Sequence, residues 1–106
     1  MFLTGEMVGA AKALFNRARL FLSPHGALCV NMAFMPFGGH VFEIRPREYQ
    51  NACFHHLAEV CELHFYLVIG NGTFASKIDV DVPPVVETLR MIKKKMEEDK
   101  ELEPYE

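Results

Sequence analysis

Residues 20–36 read LFLSPHGALCVNMAFMP, and residues 40–44 add HVFEI. Leu20-Phe21-Leu22 is short and wholly apolar, as a strand covered on both faces is. Pro24 pushes Ser23 out of the helical region and marks the strand's end. A helix is expected over Gly26–Phe34, with Ala27, Val30, Ala33 and Phe34 towards a sheet. Pro36 and Phe37-Gly38-Gly39 then end it in a turn. Val41–Ile44 is a second buried strand. In parallel α/β folds, such a strand–turn–helix junction is where an anionic ligand sits. The N–H groups at a helix start point outward unpaired, and the helix dipole adds positive charge there. Gly26 lets a phosphate approach the backbone without a Cβ in the way, and His25 offers a hydrogen bond beside it.

The rest of the chain alternates in the same way. Met7, Ala11, Leu14, Phe15 and Ala18 form one apolar stripe of a helix running from Thr4 to about Arg17. Pro46 suits the first turn of a third helix, with Tyr49, Cys53, His56, Leu57 and Val60 as its apolar stripe. Leu63–Ile69 is a third strand, broken by Gly70-Asn71-Gly72. A polar loop over Thr73–Lys77 and an extended IDVDV follow. Asp81 and Pro83-Pro84 open a last helix, with Val85, Leu89, Ile92 and Met96 as its stripe. The order α-β-α-β-α-β-loop-α implies a three-layer α/β fold: a parallel sheet with helices on both faces. The wholly apolar first strand is poorly suited to a sheet edge, so a further neighbour is expected beside it.

Composition bounds the function. The chain has 106 residues, half of them hydrophobic, and a net charge of −3. That is one small globular domain with no nucleic-acid-binding footprint. No apolar run approaches the ~20 residues that span a bilayer, and MFLTGEM lacks the character of a signal peptide. Cys29, Cys53 and Cys61 have no framework spacing and read as separate thiols. The cluster Cys53, His55, His56, Cys61, His64 matches no common zinc spacing, so no metal site is expected. Cys29 follows His25 at i+4, but nothing orients a Cys–His pair there, and packing is expected.

The central motif, HGALCVNMAFMPFGGHVFEIRP, resembles the signature of glycosyltransferase family 61, which usually reads close to HGAGLTNxxFMPxGxxVxEIxP. The shared residues are His25, Gly26, Ala27, Asn31, Phe34, Met35, Pro36, Gly38, Val41, Glu43, Ile44 and Pro46. NACFHHLAEVCELHFYLV and IDVDVPPVVETL also look like the family's C-terminal end, so the resemblance spans about residues 7–92. Leu28, Cys29 and Val30 stand where the family has Gly, Leu and Thr. The family includes plant and fungal xylosyl- and arabinosyltransferases and animal N-acetylglucosaminyltransferases.

The resemblance implies the C-terminal half of a Rossmann-like domain of a GT-B glycosyltransferase: a fragment, a truncated gene model or a degenerate copy. Residues 1–92 would be the partial nucleotide-sugar-binding domain and 93–106 a charged helix end with an acidic tail. It implies an inverting enzyme that moves a sugar from a UDP-sugar donor to a glycan or glycoprotein acceptor in the Golgi or endoplasmic reticulum. Membrane attachment would come only through an anchor missing from this chain, and no cofactor beyond the donor is implied. His25, Gly26, Ala27 and Leu28 would line the donor nucleotide. Two readings of Glu43 stay open: a contact to ribose or another part of the ligand, or a salt bridge to Arg45 or Arg47. No residue is assigned as the catalytic base, so the chain alone is expected to be inactive. Two alternatives remain. One is a non-catalytic module that binds a nucleotide weakly or pairs with another protein. The other is a stand-alone phosphate-binding α/β protein.

Overall fold

The computed structural model describes residues 5–48, 51–72 and 78–101. The elements are α1 (Gly5–Phe15), β1 (Leu20–Pro24), a 3₁₀ helix (Ala27–Phe34), β2 (His40–Pro46), α2 (Cys53–Val60), β3 (His64–Gly70) and α3 (Val82–Glu101). The strands form one open parallel sheet in the order β1-β2-β3. Alternation of helix and strand thus yields the α/β class with a parallel sheet, as the pattern requires.

β2 is the middle strand. Six of its seven residues are buried and the seventh is half-buried. A central parallel strand is covered on both faces, so HVFEIRP buries two charged side chains, Glu43 and Arg45, among its apolar ones. Successive side chains point to opposite faces. On one face Val41 joins a core with Cys29, Met32, Met35, Ala58 and Leu63, against which Phe21, Phe54, Leu57 and Phe65 pack. On the other face His40 meets Tyr66, and His64 faces Asp99 of α3. Phe42, which alternation places on that same face, and Ile92 of α3 are sealed from solvent. α1, the 3₁₀ helix and α2 therefore cover one face and α3 the other.

Several expected boundaries and faces differ. The helix after the Gly26 turn is a 3₁₀ helix, with three residues per turn rather than 3.6. Side chains at i and i+3 eclipse in such a helix, so its buried row is Cys29, Met32 and Met35. Val30 is 56% exposed and Ala33 is exposed, contrary to the stripe read from α-helical spacing. β1 runs on through Pro24, which pairs with Ile44. Pro46 ends β2 opposite Gly70 instead of opening a helix. α2 starts only at Cys53, whose N–H donates to the Asn51 side-chain oxygen at 2.9 Å. Its inward row is then Phe54, Leu57, Ala58 and Cys61, leaving Cys53, His56 and Val60 outside. α1 ends at Phe15, short of the expected Arg17; its Leu14 is 67% exposed, while Phe15 and, beyond the helix, Ala18 pack on the core. Thr4, Tyr49 and the loop 73–77 lie outside the described residues, as does the side chain of Met7.

β1 is an edge strand among the described residues, and its Leu22 is 44% exposed. α3 follows its expected stripe: Ile92 is buried, and Val85, Leu89 and Met96 are half-buried. The helix continues across residue 93 without a break, and the i,i+4 pair Lys95–Asp99 closes to 3.6 Å.

Candidate functional site

Two polar clusters sit at opposite ends of the sheet. The first lies at the C-terminal ends of β1 and β2. The N–H of His25 donates to the carbonyl of Ile44 at 2.9 Å, extending the β1–β2 ladder one residue past Pro24. This holds the imidazole over Glu43, with Nδ1 and Oε2 2.5 Å apart. Arg45, two residues along and so on the same face, donates Nη2–H to Oε1 at 3.0 Å and Nε–H to Oε2 at 3.3 Å. Phe54 of α2 packs on the imidazole at a centroid distance of 4.8 Å. The His25, Glu43 and Arg45 side chains are only 5%, 1% and 7% exposed.

A buried carboxylate requires this compensation. The salt-bridge reading of Glu43 is realised with Arg45, whereas Arg47 donates to the Asn71 side-chain oxygen at 3.2 Å. Among the described residues no buried side-chain nitrogen or oxygen lacks a partner. The network thus fixes the turn it belongs to. That turn leads into the first helical bond, from the Cys29 N–H to the Gly26 carbonyl at 3.0 Å. The N–H groups ahead of such a first bond are those a helix start leaves for an outside acceptor. Gly26 itself is fully extended, a conformation open to any residue. Among the described residues, a Cβ there would meet nothing nearer than the Pro24 carbonyl oxygen at 4.0 Å. The side chains of Ala27 and Leu28 lie outside the described residues.

Cys29 points into the core, and its thiol donates to the Pro24 carbonyl at 3.6 Å. Burial pushes its pKa up, which disfavours the thiolate a nucleophile needs. Packing is its role.

The second cluster occupies the N-terminal ends of β2 and β3. His40 and His64 are register partners, and their rings stack at 4.8 Å. His40 Nδ1 lies 3.1 Å from the Tyr66 hydroxyl, and His64 Nε2 lies 4.0 Å from Asp99 Oδ2. Burial and the neighbouring His64 lower the pKa of His40. The cluster borders an open cleft of about 560 Å³, also lined by Arg17, Arg19, Phe37 and Met96.

In the sequence His64 closes the run Cys53, His55, His56, Cys61, His64, a run not expected to form a site. In the fold Cys53 is exposed on α2, His55 pairs there with Glu59 at 3.5 Å, and His64 begins β3. His40 and Asp99 were missed as its true neighbours. The available signal was the repeated start His-Val-Phe and His-Phe-Tyr of two strands that pair in register.

Comparison with known protein families, characterised proteins and solved structures returns no match for this chain. No helix among the described residues is long and apolar enough to cross a membrane.

Proposed function

We propose that this chain supplies the donor-nucleotide side of an inverting, family 61-like glycosyltransferase, as the C-terminal half of a Rossmann-like domain in a GT-B arrangement. One observation carries the reading. His25 and Glu43, two residues of the motif that resembles the family, join at the C-terminal ends of adjacent parallel strands, where open α/β sheets take nucleotides. The His25–Glu43–Arg45 network acts on the ligand through the turn it holds, presenting the backbone from Gly26 to Leu28 to a UDP-sugar diphosphate. In the reaction a base takes the acceptor hydroxyl's proton. The oxygen then forms a bond to the anomeric carbon as the bond to UDP breaks. The base is assigned to no residue of this chain. The acceptor would be a glycan or glycoprotein in the Golgi or endoplasmic reticulum lumen.

The test is an amide NMR titration of the purified chain with UDP, UDP-sugars and inorganic phosphate. Shifts centred on His25 to Leu28, larger for UDP than for phosphate, are expected. An intact spectrum unmoved by millimolar UDP would sink the reading. The near-complete burial of His25 and Glu43, each satisfied within the chain, favours a second reading: a non-catalytic module in which the network only braces the fold. Capture of a protein partner by a chain that ignores UDP would support it.

A further inference from the structure

We propose that His40, His64 and Asp99 form a divalent-metal site of the zinc type at the N-terminal edge of the sheet, opposite the proposed nucleotide end. The ligand atoms of the three residues already lie within 4.8 Å of one another. In a tetrahedral site with bonds of about 2.0–2.1 Å, ligand atoms stand about 3.4 Å apart. The remaining closure is within reach of side-chain rotation, because the His64 and Asp99 side chains are 42% and 39% exposed. His40 supplies the rigid part. It is buried, and its Nδ1 lies 3.1 Å from the Tyr66 hydroxyl; with that hydroxyl accepting the Nδ1 proton, Nε2 is left unprotonated for the metal, as second-shell partners of metal-bound imidazoles do.

Register supports the same conclusion. Two parallel strands that each begin with histidine place both imidazoles on one face, and α3 lays a carboxylate against them. Two imidazoles and one carboxylate suit a borderline cation. The adjoining cleft leaves room for a water or an anionic ligand in a fourth position, with Arg17 and Arg19 among its lining residues. Lys95 opposes binding, since its Nζ lies 3.6 Å from Asp99.

Cobalt(II) titration of the full chain, read by its visible absorption and followed by zinc displacement, tests the site. One equivalent of cobalt without thiolate charge-transfer bands is expected. His64→Ala and Asp99→Asn, both at partly exposed positions, should each weaken binding by at least about tenfold. Lys95→Gln should tighten it, and His55→Ala should leave it unchanged. Circular dichroism checks that every variant is folded. Failure to bind millimolar cobalt overturns the proposal. So do thiolate bands, or an affinity indifferent to both ligand substitutions. The UDP titration is a separate readout, so either proposal can fail without the other.

Discussion

His25 Nδ1 and Glu43 Oε2 lie 2.5 Å apart, joining two side chains 18 positions apart in the chain and almost wholly buried. Arg45 binds the same carboxylate. Glu43→Gln keeps the shape but leaves the Arg45 guanidinium without its counter-charge. Breaking a buried pair from one side typically costs about 3–5 kcal/mol. Urea unfolding should show a loss of that order, and a loss below ~1 kcal/mol would contradict the network's structural role.

Glu62 adopts a left-handed conformation, with φ of 56°. It follows α2 in a Schellman arrangement: the Leu63 N–H donates to the Ala58 carbonyl at 2.9 Å, and the Glu62 N–H to the Glu59 carbonyl at 3.2 Å. A left-handed non-glycine residue carries roughly 1–2 kcal/mol of steric strain, partly offset in a glycine variant by chain entropy. Glu62→Gly should therefore raise stability by about 0.5–1 kcal/mol in the same unfolding assay.

Gly70 ends β3 where residues 78–80 fold back. Asn71 and Asp79 exchange backbone hydrogen bonds of 2.7 and 2.9 Å. A Cβ at Gly70 would collide with the Ile78 side chain and come within 3.0 Å of the Asp79 carbonyl oxygen. Gly70→Ala should destabilise by about 1–3 kcal/mol, as overpacking does. Gly9→Ala is the control. It lies inside α1, and among the described residues nothing beyond the helix's own backbone comes within 4 Å of the added Cβ, so it should stabilise by about 0.5–1 kcal/mol. Thermal melts of the two variants should move in opposite directions.

His40 gives the stability a pH dependence of defined sign. Its folded pKa lies below the ordinary 6.5, through burial first and His64 next. The unfolded chain therefore binds more protons in that window, and stability rises with pH there. The contribution is complete above about pH 6.5 and declines as pH falls towards the folded pKa. His64, Asp99, Lys95, Arg19 and the Tyr66 hydroxyl are the charged and titratable groups around it. Urea midpoints measured from about pH 7.5 down to 5 should fall for the native chain. They should fall less for His40→Gln, and equal slopes would refute the assignment.

The three thiols should separate by access. Cys53 is exposed, Cys61 intermediate and Cys29 buried with its pKa pushed up by that burial. Reaction needs an accessible thiolate. Alkylation followed by peptide mass analysis should label Cys53 first and Cys29 only on unfolding, with a rate difference of at least about tenfold.

The candidate nucleotide end was legible as residues but not as an arrangement. Glu43 stood out as a carboxylate in an apolar strand, which demands a partner, and Arg45 was one of two arginines weighed for it. That His25 also reaches it depends on β1 and β2 pairing in register. The cluster proposed to hold a metal was hidden for a similar reason. His40, His64 and Asp99 come from three elements, and no local spacing joins them.

By itself the sequence determined the α/β alternation, the three strands and the buried stripe of α3, because apolar periodicity and proline or glycine breaks are local properties. Tertiary structure alone decided three further features. It set the 3₁₀ winding that buries Cys29, Met32 and Met35, the late start of α2 that turns Phe54 and Ala58 inward, and the side-chain partners across the sheet. Helix type and facing direction follow whichever packing buries the most surface. Strand register, a contact between distant segments, chooses which polar groups meet.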